Sequence, residues 1–508
     1  MKNNSLILLS ITTALLLFGT GCSVVGPDYV KPKEQSFPDT WDQNSSKSDE
    51  NIKEWWKLFN DDTLNILVQK TYEQNLDLRS AGLRILQARA ALGISEGLIY
   101  PQAQTLSGSL AGIRNGGNSF ASAGVNFDVA WEMDVWGKYA RGIESSEATL
   151  YASIASYDDI LVSIIAEVAR NYINFRTSQE RIAFARRNIE IQAEVTKMTE
   201  IQFNAGNVSE LDVQQAKTQL YTTKSLLPSL ELSMIKSRNA IAVLLGTLPQ
   251  SIDLILLKDS KAKKDTRVQG YDYRLDSYIP NAVLVNGFKV DADMVRRRPD
   301  LQVAELQAKA QSARIGSAEA ELYPHFSLFG SLGYNTNNTS NSWVSAGDAI
   351  GVSVGPAFSW NIFQYDRIKN QVRVQDALFQ ESLNNYNKKV LLAVGEVSNS
   401  LDGYRLTKKQ LELNAQAIEA TLRAFELSIT QYENGLVTYQ RLLSTVEKLT
   451  RNEDTYAQIQ GSIALQVIAL YKALGGGWEI GKDKPYLNPD DVKQMSDRTD
   501  WGEYLDDK

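Results

Sequence analysis

Two side chains suited to chemistry occur once each in this 508-residue chain: the imidazole of His325 and the thiol of Cys22. A tetrahedral metal site needs four such ligands, and a nucleophilic triad needs a base oriented beside its nucleophile. Neither can be assembled from one His and one Cys, and no disulfide can form within one chain. Carboxylates remain, and the notable cluster lies in "VNFDVAWEMD", residues 125–134. In an extended strand, side chains alternate between faces. Val125, Phe127, Val129, Trp131 and Met133 then share one face, and Asn126, Asp128, Ala130, Glu132 and Asp134 the other. The three acids leave a carboxylate-only enzyme open, but no paired acids sit in an obvious cleft-forming context. The chain is expected not to be an enzyme and to need no metal.

The net charge of −7 comes without a basic block, which argues against nucleic acid as partner. Lys2 precedes the apolar run "LILLSITTALLLF" at 6–18, too short for a comfortable transmembrane helix, and Gly19, Thr20, Gly21 and Cys22 follow. This reads as a signal peptide over 1–21. A Cys directly after the apolar region resembles a bacterial lipobox, although Gly19 stands where Leu is usual. The resemblance implies a covalent lipid on Cys22, and Ser23 rather than Asp after it implies the outer membrane. No later run is apolar enough for a spanning helix, so a further crossing would use strands.

The elements around the acidic strand occur twice. "LIYPQ" (98–102) returns as "ELYPH" (321–325), shifted by 223; "VAWEMDVWGK" (129–138) returns as "FSWNIFQYDR" (358–367), shifted by 229. "QFNAGNVSELDV" (202–213) matches "QYENGLVTYQRL" (431–442) at the second shift. Each copy predicts a helix (about 62–98 and 293–321), a Tyr-Pro stop, two strands around a polar loop, and a very long helix (about 137–203 and 364–433). That helix breaks at Gly206 or Gly435, before a return helix capped by Ser209 or Thr438. Leu161, Ile165, Val168, Tyr172 and Phe175 repeat at coiled-coil spacing, matched by Val390, Val394, Val397, Leu401 and Tyr404. About 67 helical residues span ~100 Å. The two shorter helices of a copy are expected to stack end to end alongside.

The strands expected at about 103–113, 123–135, 325–335 and 349–362 pair an aliphatic and aromatic face with a small polar one, the pattern of a transmembrane β-barrel. The first strand is ambiguous: Leu106 and Leu110 suggest one register, while alignment to the second copy turns Ala103, Thr105 and Ser107 outward. Four strands cannot close a barrel and open edges cannot sit in lipid. The barrel must be shared, and three chains would give twelve strands. His325 begins a strand on the small polar face, as a lumen or rim residue.

"GPDYVKP" (26–32), "WWKLFNDDTLNILVQKTYEQNLDL" (55–78), "RRRPDLQVAELQAKAQSARIGSAEAELYPHFSL" (296–328) and "AIAVLLG" (240–246) together resemble the TolC-like outer-membrane efflux proteins of the NodT-type lipoprotein branch. The resemblance implies a mainly α protein with a transmembrane β-barrel. A homotrimer would build a twelve-stranded barrel, continuous with a long periplasmic α-helical barrel. The division is then a lipidated segment 22–60, repeats 61–250 and 291–478, a linker 251–290 and a polar tail 479–508. The implied function is the exit duct of a tripartite pump for small molecules. Its implied partners are a periplasmic adaptor, an inner-membrane transporter of the proton-driven kind, and outer-membrane lipid. The outer channel of a type I protein secretion system is the alternative, and a pore-less coiled-coil lipoprotein a third reading. By resemblance the adaptor meets the tips at Asn204, Gly206, Asn207, Ser209, Asn434, Gly435, Leu436 and Thr438. Asp212 and Tyr432 match latch positions. Arg441 and Ser444 stand where a constriction commonly carries acids, which implies a gate with less cation preference. Asp128, Glu132 and Asp134 are expected on the barrel lumen.

Overall fold

The computed structural model describes residues 24–32, 52–258, 279–280, 284, 295–339, 343–345 and 347–505. Signal peptide, Cys22 and most of the segment 251–290 lie outside the described residues.

Two helices of 67 residues dominate, α3 (Lys138–Asn204) and α7 (Arg367–Glu433). Each turns back into a 35-residue helix, α4 (Glu210–Leu244) or α8 (Tyr439–Ala473). Both tight turns are built alike. Gly206 and Gly435 sit at φ 76° and 69°, where an L-residue is strained. Asn207 N–H donates to Gln202 O and Leu436 N–H to Gln431 O, closing Schellman caps on the long helices. The return helices differ at their starts. Ser209 and Asp212 form a full capping box; the Thr438 side chain makes no capping bond, and Arg441 at the third helical position has no side-chain acceptor to return one to the Thr438 N–H.

One helix expected over 62–98 is two: α1 (Asp62–Gln74) and α2 (Leu76–Gly97). Asn75 interrupts them in extended conformation, and its side chain accepts from Leu78 N–H, a standard N-cap. Its amide also donates to Leu244 O at 2.7 Å, fastening the start of α2 to the end of α4. Copy two makes the same joint with different chemistry. Arg298 precedes α6 (Pro299–Ala320) and donates to Ala473 O at 2.7 Å, at the end of α8. So α2 stacks on α4 and α6 on α8. A short helix, α5 (Asp253–Lys258), follows α4, and α9 (Pro489–Ser496) lies in the tail.

In the half nearest the sheet the packed order is α2, α3, α6, α7; in the far half it is α4, α3, α8, α7. The central helix α3 therefore buries its whole seam, Leu161, Ile165, Val168, Tyr172 and Phe175. The flanking helix α7 buries Val390 and Val397 but leaves Val394, Leu401 and Tyr404 only half covered. An apolar core around Trp55, Leu67, Ile165 and Tyr471 fills the half nearest the sheet, and a second around Phe425, Tyr432 and Leu442 fills the tips. Between them lies a polar layer in which Arg187 and Asn188 of α3 bind buried Glu453 of α8, beside a bidentate Arg181–Asp454 pair.

Four strands form one antiparallel sheet in chain order: β1 (Ala103–Asn115), β2 (Asn118–Met133), β3 (His325–Asn337) and β4 (Ile350–Ser359). The first pair runs further toward its turn than expected, because Gly116 takes φ 61° and lets two residues make the hairpin. β4 stops at Ser359, short of Trp360 and Ile362. Both outer edges, β1 and β4, are unpaired in one chain. No single described helix is long and apolar enough to cross a membrane.

Candidate functional site

Directly opposed residues of an antiparallel pair share a face, so the pairing assigns every strand residue to one. Phe127 opposes Leu106 and Leu332, and Leu332 opposes Val352. Val125, Phe127, Trp131 and Met133 therefore lie with Leu106, Leu110, Leu328, Tyr334, Val354 and Phe358. The ambiguity of β1 is resolved by this pairing: Leu106 and Leu110 belong to the apolar face, and Ala103, Thr105 and Ser107 to the polar one. The apolar face is bare. Leu110 is 80% exposed, Val354 76% and Phe358 72%. An apolar sheet this open in water would aggregate, and hydrocarbon is its natural neighbour.

The other face carries Asp128 opposite Thr105 and Ser331, with Ser353 beyond. Asp128 is exposed and makes no ion pair among the described residues. It also holds Phe329, over Gly355, an aromatic that the alternation of small residues did not announce.

At the base of this face Glu132 and His325 meet, 193 residues apart in sequence. His325 Nδ1 lies 2.8 Å from Glu132 Oε1, and Nε2 lies 3.4 Å from Glu321 Oε2. Lys138 Nζ closes the cluster, 2.6 Å from Glu321 and 3.7 Å from Glu132. Two of the three acids expected on the lumen have partners within the chain. Glu132 is engaged in this cluster. Asp134 lies beyond the strand end, and its carboxylate accepts from Ala140 N–H at 2.7 Å, capping α3. Gly137 at the N-cap of α3 has no side chain to do so.

The strand ends are tied to the helices by tryptophans. Trp131 Nε1–H donates to Ile99 O at 2.9 Å, and Trp360 Nε1–H donates to Leu322 O at 3.0 Å. These are the same bond in each copy, one residue before each Tyr-Pro, and neither was evident from the sequence alone. Trp136 adds a third tie, stacked on Tyr323 and donating to Pro324 O.

The segment that follows Cys22 is clamped at this same level. Val25 N–H donates to Trp136 O, and the Arg141 guanidinium donates to Val25 O, Gly26 O and Asp28. A Cβ on Gly26 would overlap the Gly316 backbone, and one on Gly137 would press on Val24. In copy two Asp366 takes the left-handed conformation that Gly137 takes in copy one (φ 58° and 78°). Glycine is needed only where the N-terminal segment crosses.

At the tips, Asn204, Gly206, Asn207, Ser209, Asn434, Gly435, Leu436 and Thr438 are all exposed. Asp212 is half-buried, and its Oδ2 accepts from Ser209 N–H and Oγ–H, so within one chain the carboxylate serves its own helix. Tyr432 is buried edge-on against Tyr439, with its hydroxyl 3.4 Å from Thr199 Oγ1. Arg441 is exposed and Ser444 half-buried. No group of three or more metal-binding side chains occurs among the described residues.

A sheet with one bare apolar face and one polar face, mounted on helices ~100 Å long, matches the anatomy of a membrane-spanning β-barrel on a helical stem. The outer membrane efflux protein model matches residues 67–247 and 293–476, and the chain belongs to that family. It is thus an outer-membrane channel protein. Nodulation protein T of Rhizobium leguminosarum bv. viciae is 29% identical over 401 residues, 78% of each chain. The pyoverdine export outer membrane protein OpmQ of Pseudomonas aeruginosa is 26% identical over 495 residues, covering 94% of this chain and 98% of that one. Among solved structures, the outer-membrane channel OprN superposes with a TM-score of 0.76 at 29% identity, over 90% of this chain and 99% of that one. The CmeC outer membrane channel of Campylobacter jejuni gives 0.74 at 22% identity, over 94% and 99%.

Proposed function

We propose that three copies of this chain close a twelve-stranded barrel over a helical duct, the exit of a tripartite pump for small toxic molecules. A periplasmic adaptor would engage the two glycine turns, and a proton-driven inner-membrane transporter would supply energy. The observation that carries this reading is the sheet: four strands, two open edges and one bare apolar face can be satisfied in lipid only by closure with further copies. Acylation of Cys22 fits the clamp on residues 25–28, which fixes the chain beside the base of the sheet, where lipid attached a few residues earlier would reach the inner leaflet. The family and the names of OpmQ and of the cation efflux protein CusC of Escherichia coli (24% identical) support efflux. Purified protein should run as a trimer by light scattering and conduct ions in planar bilayers. A monomer without conductance refutes the reading.

Protein export is the second reading, favoured by a 23% identical relative named toxin and drug export protein A, of Aggregatibacter actinomycetemcomitans. Deleting the gene should sensitise cells to small toxic compounds under the first reading, and should deplete a secreted polypeptide under the second.

A further inference from the structure

The helical wall holds a sizeable cavity that neither the fold nor the family assignment explains. It measures about 430 Å³ and is lined from four helices: Arg84 on α2, Thr149, Ser153 and Ser156 on α3, Arg314 on α6 and Ser382 on α7 complete its polar lining with two glutamines. None of its lining residues is acidic, and alanines and one valine supply the rest. The two arginines are unspent. Among the described residues Arg314 donates only to neutral partners, Ser145 Oγ and Gln311 Oε1, and Arg84 makes no ion pair. Two guanidiniums without carboxylates, beside hydroxyls and a patch of small apolar surface, form a receptor for an anion that carries an apolar body.

The cavity opens on a definite side of the helix layer. Ser156 lies about five helical turns below Lys138 on the same face of α3, and Arg314 about two turns below Glu321 on the same face of the α6 line. Lys138 and Glu321 are the helix residues that meet Glu132 and His325 at the foot of the polar sheet face. The cavity therefore continues the polar side of the sheet. Arg84 agrees: it lies across α2 from Gly82 and Gly93, the residues on which Tyr486 and Tyr504 of the C-terminal tail rest. The tail covers one side of the layer and the cavity opens on the other.

We infer that Arg84 and Arg314 form an anion-binding station on the inner wall of the duct, which a carboxylated or sulfonated small molecule with an apolar body occupies in transit. This rests on the duct reading above and adds a substrate class to it. The station would hold such anions transiently just below the barrel, upstream of the acid-bearing sheet face around Asp128. Exported cations would pass it unheld.

The test uses the purified full-length protein with naphthalene-2-sulfonate as the anionic probe and a naphthylmethylammonium cation as its control. Binding is read by equilibrium dialysis, and conductance is recorded separately in planar bilayers. Arg84→Gln/Arg314→Gln should bind the sulfonate at least about tenfold more weakly than wild type, with cation binding unchanged. Arg84→Lys/Arg314→Lys should recover part of the loss. Both arginines are exposed, so the variants should keep the wild-type oligomer on gel filtration. Equal sulfonate binding by wild type and the glutamine variant overturns the station even if the channel conducts. Absence of conductance in every form overturns the duct and the station with it.

Discussion

Arg298→Met is the perturbation that most directly probes how the stacked helices are held. The Arg298 side chain is almost fully buried and makes four bonds: two to Asp300 at 3.0 and 2.9 Å, one to Glu396 at 2.8 Å and one to Ala473 O at 2.7 Å. Met keeps much of the volume but strands the Asp300 carboxylate and the last carbonyl of α8. Removing one partner from a buried charged set costs about 3–5 kcal/mol. The matching joint in copy one is neutral, and Asn75→Ala there forfeits a cap worth about 1–2 kcal/mol. The prediction is therefore an ordering, with Arg298→Met clearly costlier than Asn75→Ala. Guanidinium unfolding followed by fluorescence reads it, because Trp55 and Trp56 lie in the core beside this joint. Adding Asp300→Asn to Arg298→Met should restore part of the loss, since it removes the stranded charge. Burial alone would push the Asp300 carboxyl up, but the hydrogen bonds and charge of Arg298 outweigh it and hold the carboxyl below its usual 3.8. A lowered folded value gives stability that is complete above the unfolded value and lost as pH falls through the folded one. The gap between wild type and Arg298→Met should thus be full at neutral pH and narrow below about pH 4. Equal costs for the two joints, or a gap that widens in acid, would refute the reasoning.

Asp158 should show the opposite pH sign. Burial, with Glu479 nearby, pushes its carboxyl up to about 7, so its contribution is complete below 3.8 and is lost as pH rises through about 7. Asp158→Asn should be more stable than wild type at pH 8, with the gap smaller at pH 5 and closing only below about 3.8, by thermal scan; a variant that is less stable at pH 8 contradicts this. Trp131→Phe and Trp360→Phe each remove one indole bond to a helix-end carbonyl, and each should cost about 1 kcal/mol, alike in both copies. Denaturant midpoints that differ strongly between the two would show that the ties are not equivalent. Asp128→Asn alone should account for most of any cation preference lost on neutralising Asp128, Glu132 and Asp134 together, measured as a reversal potential across a salt gradient. An unchanged potential would remove Asp128 from the ion path.

What could be read from sequence followed the reach of its periodicities. The long helices, their seam and the two faces of β2, β3 and β4 each rest on a repeating local pattern, and a pattern survives whatever packs against it. Position β1 was ambiguous because Ala103, Thr105, Ser107 and Ser109 are small on one face while Leu106 and Leu110 are widely spaced on the other; only pairing with Phe127 decides. Side-chain partnerships were less legible. Glu132 and His325 look like independent strand residues until the sheet brings them together, and Asp134 looks like the fifth residue of the polar strand face until the helix turns its N–H groups back toward it. Nor does sequence similarity between the copies reveal that Asn75 and Arg298 perform one task, since an amide and a guanidinium share little beyond the ability to donate to a carbonyl.

The unequal hairpins have a consequence for how the cell's exterior is decorated. Copy one turns within two residues at Gly116 and Gly117, whereas copy two spends residues 338–349 between its strands. Around a closed trimer, long loops and tight turns would alternate, like a crown with three tall points and three low ones. Antibodies, phage or an engineered epitope would then find three handles rather than six, all on the second copy. Lengthening those handles would leave the bore beneath them untouched.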